Sequence, residues 1–316
     1  MGVREFGLPT VVPSPDPGAL PAEVTVWEVG ARDGLQNESA VLPVDVKLEF
    51  LDRLADAGLT VLEATSLVSP KWIPQLADAE ALLAGLKQRE GVRYPVLVPN
   101  ERGLDRALAA GVRHVVVFGS ATEAFARHNL NSSLDGQFAM FEPVVARALA
   151  EGLDVRAYVS MCFGDPWEGA VPPEQVISVG RRLVDMGCGQ LSLGDTIGVA
   201  TAGQVEALVG GFLGTGMPVD RIAVHFHDTY GQALANTMAA LRMGVSCVDS
   251  SAGGLGGCPY AESATGNLAT EDLVWMLDGL GVRTGVDLDR LVATSAWMAE
   301  RLGRPSPSRV VRALTG

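Results

Sequence analysis

One local pattern recurs along this chain: a helical stretch ends at a glycine and a β-branched strand follows. The instances centre on Gly58, Gly91, Gly111, Gly152, Gly187 and Gly244, as in ADAGLTVLEAT and LAAGVRHVVVFG. Glycine suits the left-handed residue just past a helix end. A strand, a helix and a return to a parallel strand make the βα unit that such spacing predicts. A looser version, GTGMPVDRIAVHFH, and a plausible first strand, AEVTVWEV, bring the candidate strands to eight. They begin near Val24, Thr60, Pro95, Arg113, Val155, Gln190, Arg221 and Cys247. Eight such units predict an α/β fold, a closed (β/α)8 TIM barrel. An open doubly wound sheet is the alternative, but it usually carries a Gly-rich dinucleotide loop after its first strand. Here that strand runs into GARDGLQNE, which lacks the spacing.

The barrel domain is expected over residues 23–286. Residues 1–22, interrupted by prolines and without a continuous apolar core, read as a flexible arm and not as a signal peptide. Beyond the eighth strand, TEDLVWMLDGLG and DLDRLVATSAWMAERLG read as helices, and 287–316 as a helical extension packed on the barrel with a short peripheral tail. Hydrophobic residues at 47% allow a large core, and a net charge of −13 argues against a nucleic-acid partner, which needs a basic face. No apolar run reaches membrane-spanning length, so no membrane partner is expected. Cys162, Cys188, Cys247 and Cys258 are widely spaced with no C-x-x-C, which favours a reducing, cytoplasmic setting. The first three sit in or beside strands and read as core.

In a (β/α)8 barrel chemistry gathers at the C-terminal strand ends. Those ends offer Glu28, Arg32 and Asp33; Glu63, Thr65 and Ser66; Ser160; Ser192, Asp195 and Thr196; His225, His227 and Asp228; and the segment AGGLGGCPYAESATGN with Cys258 and Asn267. His225 and His227 alternate with Phe226, so both imidazoles point to one face of their strand. They form a metal platform or, equally, two buried histidines satisfied by backbone groups. Asp33 and the amide oxygen of Asn267 would complete a mixed nitrogen and oxygen set that favours Mg²⁺ or Mn²⁺, with Zn²⁺ and Co²⁺ possible. His114, at the opposite strand end, reads as structural, and His128 as a weak substrate contact. The glycines around Cys258 suit either a mobile lid or a tight turn over a buried thiol, and composition favours the turn.

Taken together, EVGARDGLQNE, TSLVSPKWIPQ, SLGDTIGV, HFHDTYGQALANT, GGLGGCPYAESATGNLATEDLV and LGVRTGV resemble the 3-hydroxy-3-methylglutaryl-CoA lyase family of the DRE-TIM metallolyases. The resemblance runs from about Glu28 to Val286 and implies a TIM barrel. It implies cleavage of an acyl-CoA substrate, 3-hydroxy-3-methylglutaryl-CoA, to acetyl-CoA and acetoacetate, as in leucine catabolism. It also implies a homodimer. Asp33, His225, His227 and Asn267 would hold the divalent metal. Arg32 would stabilise the enolate, Cys258 would take part in proton transfer on a mobile loop, and Asp195 or His225 would be the base. Glu63 matches an acidic position of the family, and Gln36, Ser66, Ser192 and Thr196 match polar substrate-binding positions. Phe226 stands where the family often has a second cysteine. A lyase for a longer 3-hydroxy-3-alkylglutaryl-CoA, a Claisen-condensing synthase of the same superfamily, and a non-catalytic metal or acyl-CoA binding protein are the alternatives. The synthases typically carry a further region after the barrel, and only about 30 residues follow Val286 here.

Overall fold

The computed structural model describes residues 7–14, 18–257 and 266–316. Its parallel strands are β1 (Thr25–Glu28), β2 (Val61–Leu62), β3 (Thr65–Ser66), β4 (Val96–Leu97), β5 (His114–Ser120), β6 (Asp154–Ser160), β7 (Gln190–Asp195), β8 (Ile222–Phe226) and β9 (Cys247–Ser250). The hydrogen-bonded order is β2-β1-β9-β8-β7-β6-β5-β4-β3. Both ends of that order belong to one pass of the chain, because only Glu63 and Ala64 separate β2 from β3. The Glu63 N–H donates to Glu28 O at 2.9 Å on one side, and the Ala64 N–H to Pro95 O at 2.9 Å on the other. The sheet therefore closes into the expected eight-position barrel, with its second strand broken in two.

The break has a physical cause. Val61 and its partner Trp27 face the barrel interior, as does Leu97, the partner of Ser66. Val96, the partner of Thr65, packs in the outer core. Inward positions therefore run Val61, Glu63, Ser66, with one extra residue inserted at Ala64, as in a bulge that re-aims side chains beside an active site. Periodicity alone does not reveal that insertion.

Between strands lie α1 (Val44–Asp56), α2 (Ala79–Gly85), α3 (Glu101–Ala109), α4 (Glu123–Leu130), α5 (Gly136–Ala150), α6 (Pro173–Asp185), α7 (Ala202–Gly214) and α8 (Ala233–Arg242). After β9 come α9 (Thr270–Gly279), α10 (Leu288–Leu302) and α11 (Arg309–Thr315). Each helix buries one stripe. On α6 it is Val176, Val179, Gly180 and Leu183, at helical spacing. Burying a Val or Leu side chain stabilises the fold by about 1.5–3 kcal/mol. The main core lies between sheet and helices, and a smaller cluster of Trp27, Val29, Val61, Leu97, Val116, Tyr158, Ala223 and Cys247 fills the lumen. Cys162, Cys188 and Cys247 are buried free thiols, as expected.

The strand starts fall within one residue of those read from the sequence, and all six repeat glycines have positive φ. The described part of the arm lies along the barrel, where the Val12 N–H donates to Gly279 O at 2.9 Å. The tail forms the short helix α11, started by Ser308, whose hydroxyl accepts the Val311 N–H at 3.1 Å.

Two of the glycines separate conformation from crowding. Gly111, with φ 73°, has open space where a Cβ would go. At Gly58, with φ 93°, a Cβ would run into the carbonyl oxygen of Gly285. Gly111→Ala should cost about 1–2 kcal/mol, and Gly58→Ala about 3 kcal/mol or more, in urea unfolding followed by circular dichroism. Equal costs would show that the Gly58–Gly285 approach is not a tight contact.

Candidate active site

β1 ends in a π-helical turn, Gly30–Gly34, with sequence GARDG. Such turns concentrate at functional sites because they push side chains out of regular register. A Cβ at Gly30 would lie 2.6 Å from Glu28 Oε1 and would displace that carboxylate. Glu28 holds the turn by accepting the Gly30 N–H at 2.7 Å, and the same oxygen accepts the Ala252 N–H at 2.8 Å. Arg32 and Asp33 are thereby presented at the mouth of the barrel.

Arg32 is 5% exposed and sits between two carboxylates. Its Nε donates to Glu63 Oε1 and its Nη1 to Asp33 Oδ1, the latter at 2.7 Å. Glu63 Oε2 accepts from Trp27 Nε1 at 3.0 Å and from the Tyr158 hydroxyl at 2.6 Å. Burial by itself lowers the pKa of Arg32, but the charges of Glu63 and Asp33 outweigh it and hold the guanidinium charged. Burial likewise acts to raise Asp33, yet Arg32, His225, His227 and the Asn267 amide together bring its carboxyl below the usual range.

His225 on β8 and His227 just past its end both point inward, their ring centroids 5.3 Å apart. Potential ligand atoms of Asp33, His225 and His227 all lie within 4.8 Å of one another. A bridge between His227 and Asn267, with the Leu268 N–H donating to Phe226 O at 2.9 Å, sets Asn267 beside them. Asn267 Nδ2 donates to Asp33 Oδ2 at 2.8 Å and to Leu255 O at 2.9 Å, while its buried Oδ1 has no hydrogen-bond partner among the described residues. An orphaned buried oxygen beside two imidazoles and a carboxylate is the donor set that a divalent cation fits.

Asp195 closes β7, where its oxygens accept the N–H groups of Val199 at 2.9 Å and Ala200 at 3.1 Å. Burial pushes its carboxyl up to about 6 against those bonds and the charge of His225. Ser192 points its hydroxyl at Asp249 Oδ2, 2.7 Å away. Ser66 accepts the Val68 N–H at 3.2 Å, and Thr196 Oγ1 accepts the Met161 N–H at 2.9 Å. These three hydroxyls have protein partners that the sequence did not disclose. Gln36 is half-buried in the short helical stretch that continues the π-turn. Cys258 lies outside the described residues. His128 is exposed and stacks on Trp167 at 4.1 Å, and His114 pairs with Asp154 at 2.9 Å on the far end of the barrel.

Sequence reasoning missed the charged floor of the lumen. Arg156 on β6 bonds Asp249 on β9 at 2.6 and 3.3 Å and stacks 3.8 Å over Trp27. Only strand ends were read, whereas Arg156 and Asp249 lie within strands. Their signal is a charge inside an apolar alternation, VRAYVS and VDSS. Glu271 was also missed. It accepts the Gly253 N–H at 3.0 Å on both oxygens and bonds Ser295, while Ser306 Oγ donates to Gly253 O at 2.9 Å. The helices after β9 thus brace the glycine turn.

A half-buried aspartate, two buried histidines and a buried asparagine converging beside an arginine at the mouth of a (β/α)8 barrel make a group that could hold a metal ion. The sequence model of the HMGL-like family matches residues 23–298, and the chain belongs to that family. It is 51% identical over 296 residues to the mitochondrial hydroxymethylglutaryl-CoA lyase of Rattus norvegicus, spanning 94% of this chain and 91% of that protein. It is 51% identical over 294 residues to the cytoplasmic 3-hydroxy-3-methylglutaryl-CoA lyase of Danio rerio, spanning 93% and 88%. The HMG-CoA lyase of Bacillus subtilis superposes with TM-score 0.92 at 45% identity, over 94% of this chain and 99% of that one. An HMG-CoA lyase from Acinetobacter baumannii, in complex with coenzyme A and 3-methylmalate, gives 0.89 at 34% identity, over 92% and 95%. No helix among the described residues is long and apolar enough to cross a membrane.

Two buried carboxyls under the glycine turn make stability depend on pH. Burial pushes Glu28 up to about 7 and Glu271 up to about 8 from the ordinary 4.5. In the unfolded chain both ionise near 4.5, so the folded state binds more protons between about pH 5 and 8, and stability falls as pH rises through that window. Thermal melts with chelator present should show this fall, and Glu271→Gln should flatten it. A slope unchanged by Glu271→Gln would mean that the carboxyl ionises normally in the fold.

Proposed function

We propose that this protein is a divalent-metal-dependent carbon–carbon lyase that cleaves 3-hydroxy-3-methylglutaryl-CoA to acetyl-CoA and acetoacetate. The observation that carries this reading is the meeting of Asp33, His225, His227 and the orphaned Asn267 Oδ1 beside a buried, permanently charged Arg32. Family membership and the names of the relatives support the substrate, and the coenzyme A complex of the A. baumannii lyase supports an acyl-CoA ligand.

A cation held by Asp33, His225, His227 and Asn267 Oδ1, Mg²⁺ or Mn²⁺ by a donor set of two oxygens and two imidazoles without thiolate, would supply Lewis-acid polarisation of the substrate hydroxyl. We assign removal of the hydroxyl proton to Asp195. His225 has one ring nitrogen for the cation and the other 3.4 Å from Asp249, which leaves it no lone pair for the task. A carboxyl near pKa 6 is a serviceable proton acceptor at neutral pH. As the C2–C3 bond breaks, its electron pair moves onto the thioester carbonyl oxygen. Arg32 stabilises that enolate: Glu63 and Asp33 occupy its Nε and Nη1, and Nη2, with no hydrogen-bond partner among the described residues, remains to donate. Glu63 fixes the plane of the guanidinium. Cys258, next in the chain after Gly257, delivers the proton to C2 or positions a water that does. We assign Gln36, Ser66, Ser192 and Thr196 to the surroundings of the substrate.

A cytoplasmic homodimer serving leucine catabolism is the setting we assign. Buried free cysteines support a reducing compartment, relatives carry both cytoplasmic and mitochondrial names, and the dimer rests on the family resemblance. We divide the chain into an arm at 1–22, the barrel at 23–286 and a bracing extension at 287–316.

The assay is acetoacetate release from 3-hydroxy-3-methylglutaryl-CoA with Mg²⁺ or Mn²⁺, against an EDTA-treated control. Rapid metal-dependent release is expected, and no release with metal bound would overturn the substrate assignment. Because the base must be ionised, kcat should fall as pH drops through about 6. Asp195→Asn should lose about 10²–10⁴-fold in kcat and abolish that acidic limb. An Asp195→Asn enzyme with the wild-type profile would remove Asp195 from the proton transfer.

A further inference from the structure

On β8, His225 has the carboxylate of Asp249 set against its ring inside the barrel. His225 and Asp249 are direct partners in the β8–β9 register, both facing the lumen. His225 Nδ1 lies 3.4 Å from Asp249 Oδ2, a charge contact that has not closed to an aligned hydrogen bond. Contacts of this kind shorten when a site tightens around its ligand. Asp249 is 1% exposed and is itself fixed from the other side: Arg156 bonds both its oxygens, and the Ser192 hydroxyl bonds Oδ2. Arg156 in turn is clamped over Trp27 and lies against Tyr158. The Arg156 and Ser192 bonds prevent the carboxylate from turning away.

From this arrangement we infer that Asp249, anchored by Arg156 and Ser192, is the positioning residue that sets the tautomer of His225. It holds the ring proton on Nδ1 and so leaves the Nε2 lone pair for the cation. The inference rests on the metal-site part of the function proposed above. A neutral imidazole carries one N–H and one lone pair, and the hydrogen bond made by one nitrogen decides which the other presents. Carboxylate–histidine–metal arrangements use this to fix ring orientation and raise ligand basicity. An anion at Nδ1 accepts a proton and cannot donate one, so it admits only the Nδ1–H form.

Asp249→Asn tests the idea with almost no change of shape. Arg156, a pure donor, keeps the amide oxygen, which turns the amide NH₂ toward His225. The ring must then accept at Nδ1, carry its proton on Nε2 and lose its lone pair toward the metal. Two readouts are independent of turnover. Titration calorimetry with Mn²⁺ should show Asp249→Asn binding about 10- to 100-fold more weakly than wild type. Nitrogen-15 spectra of histidine-labelled, metal-stripped protein should show the neutral His225 ring protonated on Nδ1 in wild type and on Nε2 in Asp249→Asn. With only four histidines, assignment by single replacement is practical.

Wild type that binds Mn²⁺ while Asp249→Asn binds it equally well would overturn the inference and leave the metal site standing. Wild type that binds no Mn²⁺ would overturn both. If Asp249→Asn does not fold, the wild-type spectrum decides alone: an Nε2–H ring at His225 would overturn the inference.

Discussion

Arg32 and Glu63 meet inside the barrel, where water does not compensate either charge, and most of the site is arranged around that pair. Removing one partner of a buried ion pair typically costs about 3–5 kcal/mol, because the other is left uncompensated. Here further groups share the load. Trp27 and Tyr158 donate to Glu63, and Asp33 takes a second edge of the guanidinium. The pair joins the π-turn after β1 to the bulge between β2 and β3, which explains why both irregularities occur side by side. Without the extra residue at Ala64, regular alternation would keep Ser66 out of the lumen, where it shares the inward face with Glu63.

A second buried pair, Arg156 with Asp249, lies deeper in the lumen, and the two systems meet at Trp27 and Tyr158. The lumen is therefore a layered electrostatic support. Arg32 and His225 each face a carboxylate fixed by neighbours on other strands. Outside the barrel wall, Glu28 and Glu271 do comparable work by accepting backbone N–H groups. Glu28 joins the π-turn to the turn at Ala252 and to Thr270, and Glu271 holds Gly253. Ser306 and Arg304, which reach Gly253 and Glu38, bring the C-terminal extension into the same framework.

The sequence was most legible where a local rule acts. Helix-ending glycines at Gly58 and Gly111 mark strand starts, because only a left-handed residue turns the chain there. His225 and His227 announce a shared face because strand alternation is strict. Legibility failed where partners lie far apart in the chain. Nothing local ties Arg156 to Asp249, 93 residues on, or shows that the Ser192 hydroxyl faces that carboxylate. The one-residue insertion at Ala64 was hidden because both halves of the strand are apolar or small. Asn267 came into view as an oxygen donor, but its orphaned Oδ1 became visible only once Asp33 and Leu255 had claimed Nδ2.

The most direct test is anomalous diffraction from crystals of the Mn²⁺-loaded protein, collected on both sides of the manganese edge. One strong peak should lie within bonding distance of Asp33, of a ring nitrogen of each of His225 and His227, and of Asn267 Oδ1, with Arg32 still bonded to Glu63. A peak bound through Glu63 instead, with Arg32 displaced, would contradict the division of the lumen into metal ligands and charge-supporting groups, as would the absence of any peak at Asp33.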